Sequence, residues 1–505
     1  MIVPRDKDLS ADTLAHQVRE TACGWFRDPS GIDHSANHGV SIGSTLNYMI
    51  WHASASILRY SLQIESRGSP QMATGALLTG VRPTNLERES AAEYGVALRT
   101  AGVSSLVPRL DEQVISDRAI FVPFLAQLVR KTQLLYASQI RKRRQLWITD
   151  WTTYQVSREN SDAIVLYSRH PIRSAIPNVT TRDVSKAENL FTSGIDDLMN
   201  YDSLSSFLSG RNYAWPDGAI RLLSRYIQVR YLEIRRLLVL SAAQINNMLN
   251  FYQPSRVYLP ADAYEVWNLW YQLCNHREIE TVMYLDGYSV TPKFPILRTN
   301  DNQRLLVNKV KSYGSGQFEM YRRFGIPTQM IETTYPPFLK YSPKRKNGSE
   351  QFDAIVLTWT PQALNPLADT LSPATTLKLA LKTLIGCGYK KIAVKIRWGG
   401  ESHYVSRIVN EVDERIPILT GALRIHLQSS NLFVGGISTA LAEVVGHHLR
   451  YVVFEPIENG YSDFEIAQAV VISRNSIART SSELGDLLQR RESSWLGDPG
   501  RNLMS

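Results

Sequence analysis

The sequence has only three cysteines, Cys23, Cys274 and Cys387, and they are far apart. That spacing excludes a disulfide framework and a cysteine-based metal site, and it favours a reducing compartment. No run approaches the roughly 20 apolar residues that a membrane span requires. The opening residues, MIVPRDKDLSADTLAHQ, lack the apolar core of a signal peptide. We therefore expect a cytoplasmic protein without a membrane-spanning segment.

Several motifs that identify common enzymes are also missing. There is no phosphate loop with a Walker lysine and no Gly-x-Gly-x-x-Gly fingerprint, which argues against kinases and dehydrogenases. There is no Asp-x-Asp pair in a convincing loop, so we expect no divalent metal and no other cofactor. No basic segment has the aromatic spacing of a single-strand nucleic-acid platform. We therefore expect no nucleic-acid partner.

The chain is long and its composition is globular. It has 505 residues, 44% hydrophobic and 20% charged, which indicates two or three domains. A basic, Gly- and Pro-containing stretch at 340–350 is the best linker. The predicted order is an irregular and helical N-terminal part of the acceptor domain (1–110), a Rossmann-like acceptor domain (111–339), the linker (340–350), a Rossmann-like nucleotide-sugar domain (351–480), and a closing helix with tail (481–505).

Positive charge exceeds negative charge. The net charge is +9 and the isoelectric point is near 9.3, which favours acidic partners such as nucleotide phosphates or an anionic membrane surface. The charge is clustered in Arg141-Lys142-Arg143-Arg144, in Lys344-Arg345-Lys346, and along a long helical segment near residues 217–251. An ordinary solvated face is the default interpretation of each cluster.

Strands alternate with helices in both halves, which predicts two parallel sheets. The long segment Asp217 to Phe251 has an amphipathic helical pattern. In the C-terminal half we also expect a strand at Ile425 to Leu427. The remaining predicted strands are Leu146 to Thr149, Ala163 to Tyr167, Arg256 to Leu259, Glu280 to Tyr284, Ala354 to Leu357, Lys391 to Lys395, Leu432 to Val434 and Tyr451 to Phe454.

The most informative stretch is NLFVGGISTALAEVVGHHLRYVVFEP, residues 431–456. An apolar strand meets Gly435-Gly436, then Ser438 and Thr439, and then a helix containing Glu443. Such a turn presents backbone N–H groups at a positive helix end, where a phosphate binds. Glu443 lies one helical turn after Thr439 and can face the same ligand. An ordinary α/β turn, in which the Gly residues allow close packing, explains the same sequence pattern.

The other strand ends divide by chemistry. In the C-terminal half, Thr358, Lys395, Arg397 and Glu401 follow strands, a set rich in cations and hydroxyls that suits a phosphate. In the N-terminal half, Asp262 and Asp286 follow strands, and a carboxylate suits a general base. Because ligands bind beyond the carboxyl ends of parallel strands, we expect these residues to line a cleft between two Rossmann-like domains.

Three local patterns resemble GT-B glycosyltransferases, specifically bacterial surface-carbohydrate and capsule enzymes of the CDP-glycerol transferase and polysialyltransferase-like groups. They are the Ser438 to Glu443 turn, the strand end Lys395-Ile396-Arg397-Trp398-Gly399-Gly400-Glu401, and the segment Tyr313 to Pro337 with its Gly turn, helix and Gly-Ile-Pro. The resemblance covers about residues 215–490. It implies a GT-B fold and a nucleotide-sugar donor held by Thr358, Lys395, Arg397, Glu401, Gly436, Ser438, Thr439 and Glu443.

The chain also departs from those relatives. Arg397-Trp398-Gly399 stands where many carry His-Pro, Asp286-Gly287 where many carry His-Gly, and Tyr335-Pro336-Pro337 where they often have Gly-x-Pro. The missing histidines are among those that identify CMP- and CDP-linked donors. The resemblance therefore leaves the donor unspecified.

The implied reaction is a single displacement that transfers a sugar to a glycan or lipid-linked acceptor in surface polysaccharide synthesis, such as capsule or O-antigen. The enzyme would be cytoplasmic or peripheral on the inner membrane. Asp286 is the first candidate base because it stands where relatives have a putative catalytic His. His34 and His38, in a polar loop, come next, and Asp262 is third. The alternative for Asp286 is that it only begins a Gly turn. The alternative for His34 and His38 is that they lie in an ordinary surface loop.

Two other functions fit the same pattern. A sugar-nucleotide epimerase has this two-domain architecture and a similar phosphate turn, but it needs no acceptor. A non-catalytic interaction protein with a GT-B fold would retain the turn without the base. The long Arg-rich helix and the large N-terminal part favour an enzyme with a bigger acceptor.

Overall fold

The structure is a computed structural model of the 505-residue chain. It describes residues 21–50 (except 22–23, 29 and 48–49), 74–76, 97–98, 145–149, 163–167, 180–191, 198–199, 201–209, 217–259, 265–284, 306–336 (except 324–325), 339, 351–359, 373–397, 402–456, 476–490 and 494. The chain divides into two compact units, one of residues 1–286 and 294–310, the other of residues 287–293 and 311–505. The boundary between Val310 and Lys311 falls inside the strand Lys309–Tyr313.

A short hairpin and a parallel pair precede the main sheets. Strands β1 (Ala36–Asn37) and β2 (Val40–Ser41) pair antiparallel, and β3 (Thr74–Ala76) pairs with β4 (Ala97–Leu98) in parallel. His38 and Gly39 form the β1–β2 turn, with φ of 46° and 80°. Two consecutive residues with positive φ match the twist of a tight hairpin, which explains the Gly.

The first large sheet has six strands in the order β10-β9-β8-β7-β5-β6. The neighbouring pairs from β6 through β9 are parallel. Counted along the chain from β5, this order is the 2-1-3-4-5-6 arrangement of flavodoxin-like folds. The strands are β5 (Gln145–Thr149), β6 (Ala163–Tyr167), β7 (Arg256–Leu259), β8 (Glu280–Met283), β9 (Lys309–Tyr313) and β10 (Ile331–Thr334).

One long helix organises the first unit. It spans Asp217–Tyr252, 36 residues, and it ends where Gln253 adopts φ 46° directly before Pro254. A left-handed residue followed by Pro is a strong helix stop. This helix, α4, packs against α2 (Thr181–Glu188), α3 (Tyr201–Ser209) and α5 (Glu265–His276). The short α1 (Ile42–Thr45) precedes them.

A buried glutamine fixes the N-terminal hairpin onto α5. The Gln272 amide donates to the Ser41 carbonyl at 3.1 Å and to Thr45 Oγ1 at 3.0 Å, and its oxygen accepts from the Ser41 amide. Gln272 is 4% exposed. A buried amide side chain needs all of these partners, so the hairpin is held in one register.

The second sheet is entirely parallel, with six strands in the order β13-β12-β11-β14-β15-β16. Counted from β11, this is the 3-2-1-4-5-6 order of a Rossmann sheet. The strands are β11 (Ala354–Leu357), β12 (Ile392–Lys395), β13 (Ile418–Leu419), β14 (Leu432–Gly435), β15 (Arg450–Phe454) and β16 (Ile477–Ala478). All four residues of β11, β12 and β14 are buried, as expected for central parallel strands.

Helices cover this second sheet. They are α7 (Pro373–Gly386), α8 (Ser402–Val412), α9 (Thr439–Gly446) and α10 (Ser481–Arg490), and α6 (Gly314–Arg323) precedes them. Short 3₁₀ turns lie at Asn189–Phe191, Thr328–Met330, Leu423–Ile425 and Leu427–Ser429. The core under α7, α8 and α10 is aliphatic, with Val356, Leu381, Val394, Val405 and Leu484 all fully buried.

The predicted α/β class with one Rossmann-like sheet in each half is confirmed. The strand predicted at Ile425 to Leu427 is wrong: two 3₁₀ turns occupy this stretch, and the edge strand is Ile418–Leu419. Ile425 is 57% exposed, so its apolar side chain is not part of a buried strand. The linker at 340–350 lies outside the described residues, and the predicted domain boundaries stay predictions.

Candidate functional site

The switch point of the second sheet lies between β11 and β14, where the strand order reverses. These strands are parallel neighbours, with Ile355 opposite Phe433 and Val356 opposite Val434. Their carboxyl ends lead into Thr358 and Trp359 on one side and into Gly436 on the other. Ligands of open α/β sheets bind at such a crevice. Of the predicted donor residues, Thr358 and Gly436 therefore fall at the edge that favours a ligand.

The turn after β14 is tightly packed, which accounts for its Gly pair. A Cβ on Gly436 would lie 2.6 Å from Glu455 Oε1 and 2.8 Å from Trp359 Cδ1, and one on Gly435 would lie 2.5 Å from the Tyr451 hydroxyl. Trp359 is 7% exposed, and its indole N–H donates to the Phe454 carbonyl at 2.8 Å. Only residues without a side chain fit here.

Two side chains bind the same turn: Tyr451, near the start of β15, and Glu455, directly after its end. The Tyr451 hydroxyl donates to the Gly436 carbonyl at 2.7 Å, and the Ile437 N–H donates to Glu455 Oε1 at 2.7 Å. The Ser438 side chain also hydrogen-bonds to Tyr451, whose pKa is raised by burial. Within the described residues, Ser438 makes no side-chain cap of α9, and its backbone is extended.

Lys395 is the last residue of β12 and is only 5% exposed. It faces Leu357 on β11 and Leu419 on β13, and its ammonium donates to the Ile396 carbonyl. A buried ammonium is costly unless it has such partners. The predicted cation is therefore held rigidly at the strand end.

Thr358 and Arg397 come together one step along the same edge. The Arg397 N–H donates to Thr358 Oγ1 at 3.2 Å, and the Thr358 N–H donates to the Lys395 carbonyl at 3.1 Å. The ends of β11 and β12 are thus tied to each other. Arg397 itself is exposed.

Glu443 lies on α9, one turn after its start, and is partly buried. Burial raises the pKa of its carboxyl group to about 7, and the positive charges of Arg424 and Lys395 oppose that rise. The carboxyl group therefore has both protonation states accessible near neutral pH. It can accept a hydrogen bond or donate one, according to the ligand.

The two histidine candidates lie in the other unit. His34 Nε2 is 2.9 Å from Asp28 Oδ2, and its ring meets Phe207 edge to face at 5.4 Å. Hydrogen bonds from Ser30 and His34 hold the pKa of Asp28 well below its usual range. His38 lies in the hairpin turn, where its positive φ gives it a conformational role.

The remaining predicted residues are not described. Asp262 and Asp286 follow the ends of β7 and β8 in the chain, and Glu401 directly precedes α8; all three lie outside the described residues. Thr439 begins α9, but the structure describes nothing of its side chain. Within the described part of the chain, no group of three or more metal-ligating His, Cys, Asp or Glu side chains occurs. There too, no helix has the length and apolar character to cross a bilayer.

Arg424, Tyr451 and Glu455 belong to the site but escaped the sequence analysis. Arg424 lies in the 3₁₀ turn Leu423–Ile425, directly before the stretch predicted as a strand, and no strand end or motif marks it. Tyr451 reads as an ordinary strand residue. Glu455 directly follows β15, so the rule applied to the other strand ends would have found it.

No protein-family profile and no curated protein matches the chain. Among solved structures, it is similar to S. aureus MnaA with UDP, at 9% identity and a TM-score of 0.42, over 71% of this chain and 92% of that one. It is also similar to Neisseria meningitidis UDP-GlcNAc 2-epimerase bound to UDP-GlcNAc, at 7% identity and a TM-score of 0.39, over 70% of this chain and 95% of that one. For TarM the identity is 14% and the TM-score is 0.29, over 49% of this chain and 51% of that one. Scores this low carry no function over to this chain.

Proposed function

We propose that this chain is a GT-B-type glycosyltransferase that moves a sugar from a nucleotide-sugar to a glycan or lipid-linked acceptor of a surface polysaccharide. One observation carries the proposal: the buried Lys395 ends β12, the packed Gly436 turn follows β14, and Glu443 lies one turn into α9, all at the carboxyl ends of a Rossmann sheet. A buried cation beside a titrating carboxyl group, next to a Gly-rich turn, suits a phosphorylated ligand.

The donor would lie across the carboxyl ends of β11, β12 and β14. Its phosphates would meet the start of α9 near Ser438 and Thr439, where backbone N–H groups and the helix dipole favour negative charge. Glu443, one turn further on, would face hydroxyl groups of the donor. Thr358, Arg397, Glu401 and Gly436 would complete this set.

The reaction would be a single displacement. The acceptor oxygen forms a bond to the anomeric carbon while the bond from that carbon to the phosphate oxygen breaks, and the nucleotide leaves with the electron pair. The acceptor proton passes to a general base. Lys395 and Arg397 would stabilise the negative charge that develops on the leaving phosphate, so that no divalent metal is needed.

Asp286 is the proposed base, with His34, His38 and Asp262 as the alternatives. The Asp286→Asn variant keeps the shape of the side chain and removes the proton acceptor. Turnover should therefore fall by about 10²–10⁴-fold while donor affinity is kept. If turnover is unchanged, His34, His38 and Asp262 are to be substituted in that order and their turnover measured in the same way.

The decisive experiment has a binding stage and a turnover stage. Calorimetry with CMP, CDP, UDP and GDP, and with UDP-GlcNAc, tests the nucleotide site on the wild-type chain. A double variant, Ser438→Ala with Thr439→Ala, should bind the preferred nucleotide more weakly, by on the order of 1–3 kcal/mol for each lost buried hydrogen bond. Unchanged affinity would reject the phosphate role of the turn.

Turnover then separates the function classes. A transferase consumes the nucleotide-sugar only when an acceptor is supplied, whereas an epimerase converts it alone. Binding of the nucleotide-sugar without any conversion, together with capture of a protein partner, would favour an interaction protein. Wild-type protein that binds none of the nucleotides would overturn the proposed function.

A further inference from the structure

The turn between β14 and α9 is bound by two side chains that the proposed reaction does not use. Tyr451 lies in β15 and Glu455 directly after it, and both reach the same turn. Tyr451 is fully buried, and Glu455 follows the last strand residue. We call this pair the turn clamp.

The clamp contacts each residue of the turn in succession. Tyr451 binds the Gly436 carbonyl at 2.7 Å and the Ser438 side chain, and Glu455 accepts the Ile437 N–H at 2.7 Å. Because burial raises the pKa of Tyr451, its hydroxyl keeps its proton and remains a donor at neutral pH. The missing Cβ atoms at Gly435 and Gly436 make room for the clamp oxygens.

We propose that Tyr451 and Glu455 are positioning residues that hold residues 436–438 in the shape that receives a nucleotide phosphate. This inference rests on the proposed function. Sites that bind charged groups tightly need a supporting layer of hydrogen bonds, because a turn that must be ordered on binding loses affinity. Glu455 has a second effect, since its negative charge opposes the charge of any phosphate bound nearby.

Two substitutions at Glu455 separate these effects. Glu455→Gln keeps an oxygen that can accept the Ile437 N–H and removes the charge. Glu455→Ala removes both the oxygen and the charge and leaves the Ile437 N–H without its partner. Tyr451→Phe removes only the hydroxyl. Asp353→Ala is the matched control: its carboxylate accepts the backbone N–H groups of Lys390 and Lys391 at 2.9 and 2.8 Å, directly before β11 and at the end of the second sheet opposite the turn.

The first measurement needs no ligand. Amide hydrogen exchange at residues 436–438 should become roughly tenfold faster in Glu455→Ala and in Tyr451→Phe, because a lost hydrogen bond lowers the cost of local opening. Exchange in Glu455→Gln and in Asp353→Ala should match the wild type in this segment. Wild-type exchange rates in both Glu455→Ala and Tyr451→Phe would overturn the clamp.

The second measurement uses calorimetry with CMP, CDP, UDP and GDP on the same variants. Glu455→Ala should bind the preferred nucleotide roughly tenfold more weakly, and Glu455→Gln should bind it at least as tightly as the wild type. Binding by Glu455→Gln that is tighter than that of the wild type would report the removed charge, an effect that a merely structural role does not predict. Equal weakening in Gln and Ala would overturn the positioning role.

The two measurements distinguish the clamp from the proposed function. If the wild type binds none of the four nucleotides, the proposed function fails, and the exchange rates alone still decide whether the clamp holds the turn. If the wild type binds a nucleotide but Glu455→Ala binds it equally well, the clamp has no role in positioning.

Discussion

Glu443 occupies a position where burial and charge act in opposite directions. Burial raises the pKa of its carboxyl group to about 7, although Arg424 and Lys395 favour the ionised form. A phosphate bound near the same cations would compete for their charge and would favour the protonated form of Glu443. The residue is therefore expected to take up a proton when an anionic ligand binds.

The same pKa predicts how stability depends on pH. The unfolded carboxyl group titrates at about 4.5 and the folded one at about 7. Between these values the native state binds more protons, so the stabilisation present below about pH 4.5 is lost as the pH rises through 7, by up to ~3 kcal/mol. Glu443→Gln cannot titrate. Its unfolding free energy relative to wild type should therefore be higher at about pH 8.5 than at about pH 5.

Urea unfolding at both pH values measures this difference. Glu411→Gln is the control, because Lys378 lowers the pKa of the exposed Glu411 carboxyl group, so that its titration lies below about pH 4.5. The stability of that variant relative to wild type should therefore stay the same between the two pH values. The same difference between Glu443→Gln and wild type at the two pH values would contradict the assignment.

The sequence predicts the Lys395, Glu443 and Gly436 positions because strand ends and helical spacing are visible in the letters. It does not predict Arg424. The residue lies in the 3₁₀ turn Leu423–Ile425, directly before the stretch Ile425 to Leu427 whose apolar ends imitate a strand. It also misses the role of Tyr451, because a buried hydroxyl that binds a turn looks like any strand tyrosine.

At the scale of elements, the β14–α9 connection depends on close packing. In Gly436→Ala the new Cβ would lie 2.6 Å from Glu455 Oε1 and 2.8 Å from Trp359 Cδ1, so the turn or the indole must move. Overpacking of this kind costs about 1–3 kcal/mol. Nucleotide affinity should fall as well, because the displaced turn is the proposed phosphate contact.

Gly386→Ala provides the control for that variant. Gly386 is the last residue of α7, and nothing lies within 4 Å of its would-be Cβ. Alanine there should be neutral or stabilising by up to about 1 kcal/mol. Thermal unfolding measures the stability of both variants, and calorimetry measures their nucleotide affinity. A nucleotide affinity of Gly436→Ala equal to that of the wild type would contradict the packing argument.

A single serine ties a C-terminal segment to the second sheet. Ser494 is 1% exposed, and its hydroxyl accepts the Val453 N–H at 2.9 Å and donates to the Ser476 carbonyl. Ser494→Ala leaves a buried strand N–H without its acceptor, so we expect a loss of about 1–3 kcal/mol in urea unfolding. Ser482→Ala on the exposed face of α10 is the control. A loss no larger than that of the control would contradict the role of Ser494.

Some secondary-structure elements, like some residues of the site, are predicted from the sequence and others are not. Strands with four or five apolar residues, such as Ala354–Leu357, and the 36-residue helix are predicted from pattern alone. The edge strands Ile418–Leu419 and Ile477–Ala478 are not, because two residues carry no periodicity and only tertiary pairing defines them. The β14–α9 turn is predicted as a turn, while the contacts that shape it come from Tyr451 and Glu455, later in the chain.

At the scale of the whole molecule, a net charge of +9 favours association with anionic surfaces. Charge helps only where it is not already neutralised. Arg322 and Arg323 at the end of α6 both bind Glu319, so they add little. The run Arg141 to Arg144 lies outside the described residues, and its four charges remain the strongest sequence feature of this kind.

We therefore expect the chain to bind vesicles that contain an anionic lipid, where a lipid-linked acceptor would be found. Each Lys or Arg near such a surface contributes roughly 1 kcal/mol, and this attraction is screened by salt. In flotation assays, replacing Arg141, Lys142, Arg143 and Arg144 with Gln should reduce binding by at least about tenfold at low salt. Replacing Arg322 and Arg323 should have a much smaller effect, because Glu319 already offsets their charge. Equal flotation with neutral and anionic vesicles, or with the fourfold variant and the wild type, would reduce the run to an ordinary solvated segment.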